Sequence, residues 1–396
     1  MFNEENEDKK GGKDYMGNNV NEQLNYWDIL GELREATTTD EKVEIAKKLL
    51  LETNIIEDGR AIYLFDDEKL ASEENYFKKL LEYKFKNKVN KGSYYSSDID
   101  CDVNILCIVM YTLMNPKGKL NIKKQNESAH KYEILKDQKV YKGDTLTSAI
   151  YFIKLYLGCL WKEIDENKEL QKIKKYRNFY NLFEEISNKG IPVAPTGNWG
   201  TYCYEKSDII WKVMDNSVKN FLKNYNMFGN YMCIPGKTYE ITDGNWGSFN
   251  TLRSNIGKWD TVDTLLAKIY GYYRSRDIYK SEDTSYLEAI FVCKNCEEKD
   301  KLIKDTKYWL DEFDSWKSFV EMNALQPFVD EKTLCPISMK SGDLIDTDEI
   351  EIRTYNPIPE DYKGFITFFK NVSEKIALRN KYIYGLISTE KVKEVQ

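Results

Sequence analysis

The chain has 396 residues, a formal net charge of −7 and a sequence pI near 5.3. Hydrophobic residues at 41% and aromatics at 14% supply a packed interior and exclude wholesale disorder. The acidic balance excludes a protein that coats nucleic acid over its whole surface, and the length calls for one large domain or two lobes.

Residues 1–20, "MFNEENEDKKGGKDYMGNNV", are polar, carry no signal-peptide pattern and are expected to form a disordered tail. Residues 21–118 read as an N-terminal helical region, with "NEQLNYWDILGELREA", "TTTDEKVEIAKKLLLE" and "DEKLASEENYFKKLLEYKF" in succession. Thr38 and Glu41 fit a capping box at the second of these. Residues 119–396 read as the main helical domain with a small β element. Its short-period stretches "KLNIKK", "KYEILK" and "KVYKG" predict a β-hairpin or sheet insertion near residues 119–143, with "DQ" as a turn.

Helical periodicity then resumes. Asp144 is placed to cap "TLTSAIYFIKLYLGCLW", and "NKELQKIKKYRNFYNLFEEI" follows as a further helix. In "SDIIWKVMDNSVKNFLKNY" the residues Ile210, Met214, Val218, Phe221 and Tyr225 form one apolar stripe. Trp259, Val262, Leu266, Ile269 and Tyr273 form another, and Trp309, Phe313, Trp316 and Val320 a third. The last helix is "GFITFFKNVSEKIALRNKYIYGL". The fold class is therefore mainly α. The longest apolar runs, "VNILCIVMYTLM" and "SAIYFIKLYLGCLW", are too short to span a bilayer, so the chain is read as cytoplasmic with no membrane partner. Its eight cysteines, irregularly spaced, read as reduced.

The tetrapeptide GNWG occurs twice, at 197–200 and 244–247, and both copies read as Gly-punctuated loops between helices. The flanking segments do not align, so no duplicated domain is implied. The basic-aromatic stretches "KLLEYKFKNKVNKG" and "QKIKKYRNFY" would suit a local nucleic-acid groove as well as solvated helix faces.

Motifs with established chemistry are weak. The single histidine, His130, lies in no nucleophile pattern and reads as structural. Cys293 and Cys296 make one C-x2-C knuckle where a structural zinc needs four ligands, so no metal site is read. Asp98, Asp100 and Asp102 superficially resemble a nucleotidyltransferase Asp-x-Asp, but the gap from Gly92-Ser93 is too short. The strongest oddity is Arg379, which sits in a row with Phe365, Phe369, Val372, Ile376, Ile383 and Leu386, where a hydrophobe belongs. A buried guanidinium needs a carboxylate, carbonyl or phosphate partner. It is thus either an anion-holding group in a pocket or half of an internal ion pair, with Asp263 as a candidate partner. Asn250 and Arg253, three apart, share a face if helical, while Asp260, Asp263 and Arg274 take the polar side of the next helix.

From about Asp98 to Ile383 the chain resembles a family of bacterial cytoplasmic proteins defined only as a domain of unknown function. The matching segments are "NPKGKLNI", "KGDTLTS", "NMFGNYMCIPGK", "FNTLRS", "WDTVDTLLAKIYGYY", "FDSWKSFVEMNALQPFV" and "ALRNKYI". Ser254 replaces the family's glycine in its Asn-x-x-Arg-Gly motif, and Met110-Tyr111-Thr112 replaces a Tyr-His. The resemblance implies a shared fold and points to Asn250, Arg253, Asp263, Gln326, Arg379 and Asn380 as a site. It implies no activity.

Two functions are consistent with these residues. In one, a cleft binds a phosphate-bearing ligand, a nucleotide or a nucleic acid, in a defence context. Arg253, Arg379 and Asn380 would line it, Asn250 and Gln326 would orient the ligand, and Asp263 would steer an Arg or act as general base. An enzyme of this kind would cleave a phosphodiester or transfer a phosphoryl group. In the other, a non-catalytic helical scaffold uses the same polar residues internally and meets a protein partner through its surface. No cofactor is indicated by either.

Overall fold

The apolar row of the last predicted helix becomes the axis of the core. The computed structural model describes residues 32–33, 35–52, 110–114, 121–126, 129–136, 139–147, 150–188, 206–225, 227–235, 239–241, 245–247, 261–279, 285–288, 296–345 and 349–388. Helix α1 (Thr39–Glu52) comes first, followed by strands β1 (Asn121–Asn126), β2 (Ala129–Lys136) and β3 (Lys139–Thr145). Next are α2 (Ile150–Glu166), α3 (Lys168–Lys172), α4 (Lys174–Asn188), α5 (Ser207–Val213) and α6 (Asn216–Asn224). Strands β4 (Tyr231–Pro235), β5 (Tyr239–Ile241) and β6 (Asn245–Gly247) precede α7 (Val262–Tyr279), α8 (Ser285–Glu288) and α9 (Cys296–Leu310). The last elements are α10 (Trp316–Met322), α11 (Glu349–Thr354) and α12 (Tyr362–Ser388). The protein is mainly α, with a small antiparallel sheet.

Helix α12 is in contact with α1, α2, α6 and the single 3-10 turns at Phe228–Asn230 and Gln326–Phe328. Phe365, Phe368, Phe369, Val372, Ile376 and Ile383 are all at most 1% exposed, so the row read from the sequence is the buried face, with Phe368 buried beside it. Phe368 meets Phe152 of α2 at 4.7 Å between ring centroids, and Phe369 meets Phe221 of α6 at 5.0 Å. Leu33, Val43, Ala46 and Leu50 join the same buried cluster as the α12 residues. At the start of α1 the capping residues read from the sequence are engaged: Glu41 N donates to Thr38 Oγ1, and Thr37 N donates to Glu41 Oε2.

The sheet runs in the order β1-β2-β3-β4, all antiparallel. Its first three strands lie where the short-period stretches were read. The fourth, β4, pairs Tyr231 with Thr145 and Pro235 with Tyr141. Asp144 belongs to this ladder, opposite Met232, so it is extended strand rather than the cap of α2. The second GNWG also departs from the loop expected, because Asn245–Gly247 is a strand pairing with Tyr239–Ile241. Its first copy, residues 1–20, Asp98, Asp100, Asp102 and Cys293 lie outside the described residues.

Three helices expected to be continuous are broken. The segment after α2 turns at Ile173, whose ψ of 119° is extended. The Ile210–Tyr225 stripe breaks at Met214, and Asp215 caps α6 by accepting from Ser217 N. The Trp309–Val320 stripe breaks between α9 and α10, where Ser315 Oγ accepts from Ser318 N. In the last two every stripe residue stays buried across the break, so burial runs on through a change of helix axis.

Candidate functional site

Arg379 is 2% exposed on α12 and spends its N–H groups on the main chain. Nε donates to Ala324 O at 3.0 Å and Nη2 to Asn323 O at 3.0 Å. Nη1 donates to Gly229 O at 2.8 Å and to Tyr231 O at 2.6 Å. These carbonyls end two helical segments. Ala324 holds a left-handed conformation with φ 52° just past α10, with Ala324 N bonded to Glu321 O and Leu325 N to Val320 O. The guanidinium therefore sits where the C-terminal ends of α10 and of the Phe228–Asn230 turn present their negative partial charge. The guanidinium read from the sequence as anion-holding or ion-paired is bonded here to four carbonyls, and Asp263 has a separate set of partners.

A crevice of about 20 Å³ adjoins this node, lined by Met110, Met232, Met322, Cys233, Asn323 and Arg379 among others. That is room for one water and not for a phosphate group. The neighbouring Asn380 faces the same turn, its Oδ1 accepting from Gly229 N at 3.1 Å. Gly229 is close to α12 for a plain steric reason: a Cβ there would lie 2.3 Å from Ile376 O and 2.8 Å from Asn380 N. Gly229→Ala should therefore lower stability by about 1–3 kcal/mol, read as a fall in the urea midpoint with the m-value unchanged.

Asn230, fully buried beside it, ties the segment just past β3 to the turn. Its Nδ2 donates to Thr147 O and Tyr225 O, and its Oδ1 accepts from Thr147 N. Thr147 Oγ1 in turn accepts from Val262 N at the start of α7.

Asp263 follows directly and is 1% exposed. Its Oδ2 accepts from Met339 N at 2.7 Å and from the Tyr355 hydroxyl at 2.7 Å, and its Oδ1 from Thr264 N at 3.0 Å. Ser338 Oγ lies 2.6 Å from the Tyr355 hydroxyl. Burial pushes the Asp263 carboxyl above the ordinary aspartate range, against the pull of these donors. Burial, and then the Asp263 charge, push the Tyr355 phenol up as well. The arrangement pins the 336–345 segment to α7. One turn on, Lys268 Nζ donates to Arg353 O at 2.6 Å, and burial lowers its pKa to about 8.

Gln326 lies one residue beyond Leu325, with Oε1 buried and unpartnered and its side chain beside the Tyr382 hydroxyl. Asn250, Arg253 and Asp260 lie outside the described residues. Of the six site candidates, then, Arg379 and Asn380 meet at Gly229, Gln326 is close in chain to the carbonyls that Arg379 binds, and Asp263 has its own partners. Asn230, Ser338, Tyr355 and Lys268 were missed by sequence reasoning. Only Lys268 carried any signal, as a charged residue in the otherwise apolar run Leu265–Tyr270.

Among the described residues no three His, Cys, Asp or Glu side chains gather to hold a metal ion, and no helix is long and apolar enough to cross a membrane. No family model, curated protein or solved structure matches the chain.

Proposed function

We propose that the chain is an interaction protein, in which a helical frame held by internal polar nodes presents its surface to a partner. The observation that carries this reading is the engagement of the buried Arg379 by four main-chain carbonyls. A guanidinium committed in this way is architecture, as is a carboxylate that already accepts three hydrogen bonds. A cytoplasmic setting suits the free thiols of Cys159, Cys233 and Cys335, two of them buried.

The test is heat denaturation of the chain with ATP, GTP, inorganic phosphate or magnesium. An interaction protein without a small-anion site keeps its transition unchanged. A specific phosphate site, at a hundredfold excess of ligand over Kd, would add about 2.7 kcal/mol. A shift of that kind that Arg253→Ala abolishes would overturn the reading in favour of a ligand cleft.

A further inference from the structure

The helix corner at Ile173 carries charge that the frame does not use. Between Lys168 and Arg177 there are five cations, Lys168, Lys172, Lys174, Lys175 and Arg177, and one carboxylate, Glu169, in a chain of net charge −7. All five cations are exposed. Glu169 pairs with Lys172 at 2.6 Å, while Lys168, Lys174, Lys175 and Arg177 have no ion-pair partner among the described residues. Three of these cations open α4, whose first turn has no acidic residue. A helix dipole disfavours positive charge at that end, and no ion pair among the described residues offsets it for these three.

Apolar and aromatic side chains lie among these cations. Ile173 is 46% exposed, one of three large hydrophobics so exposed among the described residues. Lys175 Nζ lies 4.7 Å above the half-buried Tyr176 ring. Behind them Trp161 stacks on Tyr180 at 5.7 Å and on Phe183 at 5.5 Å. The carboxylates nearest this face are occupied or lie to one side: Asp165 and Glu184 accept from the Tyr180 hydroxyl, Glu166 faces Lys162, and Glu163 is exposed on α2. Charge therefore divides along α4, basic at Lys174–Arg177 and acidic at Glu184–Glu185.

We infer that this corner binds single-stranded nucleic acid, an inference that rests on reading the chain as an interaction protein. Phosphates would meet Lys168, Lys174, Lys175 and Arg177, and an unpaired base would lie against Tyr176 and Ile173. A duplex keeps its base faces stacked inside and could use the cations but not the ring or the isoleucine.

The experiment is fluorescence anisotropy of the full chain with a labelled oligothymidylate of about 20 nucleotides. With three to four phosphate contacts, affinity should fall roughly 20- to 50-fold between about 50 and 200 mM salt. The double variant Lys174→Glu/Lys175→Glu, folded by circular dichroism, should weaken binding at least about tenfold, whereas Lys332→Glu in an exposed turn outside the corner should not. Absence of binding, or binding that the double variant leaves unchanged, overturns the inference. So does binding to phosphatidylglycerol vesicles in place of the oligonucleotide, which would make the corner a membrane-surface contact. None of these results touches the parent reading, which fails only on the Arg253-dependent nucleotide shift.

Discussion

Arg379→Leu should destabilise the protein by about 3–5 kcal/mol, the cost of stripping a buried charge from partners that remain. Four carbonyls, of Gly229, Tyr231, Asn323 and Ala324, would lose their donors inside a core that admits at most one water. Lysine is no remedy. An ammonium has three donors at one point, whereas these acceptors are reached by three separate nitrogens of a planar fork. Arg379→Lys should therefore fall close to the leucine variant in urea denaturation. The sign of the effect is itself informative. An arginine kept for an external anion is a burden on the free protein, and its removal commonly raises stability. If Arg379→Leu melts higher than the parent chain, the carbonyl clamp is not what holds this region together.

Asp263→Asn should cost about 3–4 kcal/mol, although the two side chains have nearly the same shape. Donors address both carboxylate oxygens: Met339 N–H and the Tyr355 hydroxyl reach Oδ2, and Thr264 N–H reaches Oδ1. An amide has a single acceptor, so its NH2 must face at least one N–H in a dry interior. The pH dependence follows from the raised pKa of the aspartate. Its carboxyl ionises above the reference 3.8 in the folded protein, so its contribution is fullest at acid pH and is lost as pH rises through the folded value. Asparagine has no such dependence. The stability gap between parent and variant should therefore be wider near about pH 4 than near about pH 7, measured as urea midpoints at the two values. A gap that widens with pH would mean that hydrogen bonding to the ionised form outweighs burial.

These two residues show how far the sequence could be read. The row from Phe365 to Leu386 placed Arg379 on a buried face, and the need for a partner followed from charge alone. The partners could not be read, because the carbonyls lie 55 to 150 residues away and a carbonyl leaves no mark in a one-letter code. Helix content was legible wherever apolar residues recur at helical spacing. The breaks at Met214 and between Leu310 and Trp316 were not, because the stripe stays in phase while the axis turns. Asp215 and Ser315, both good capping residues, were the only local hints. Strands β1 to β3 showed as a change of period, but β4 is paired across some ninety positions and is read only from the fold.

Helix α12 touches α1, α2, α6 and two turns, and every one of these precedes it in the chain. A ribosome therefore delivers the axis of the core after each of these elements, at about 5–20 residues per second. Until residues 362–388 emerge, the carbonyls later claimed by Arg379 and the rings later covered by Phe368 and Phe369 stay open to water and to chaperones. Nascent chains arrested before Tyr362 should be captured by a general chaperone, and those arrested well beyond Ser388 should not.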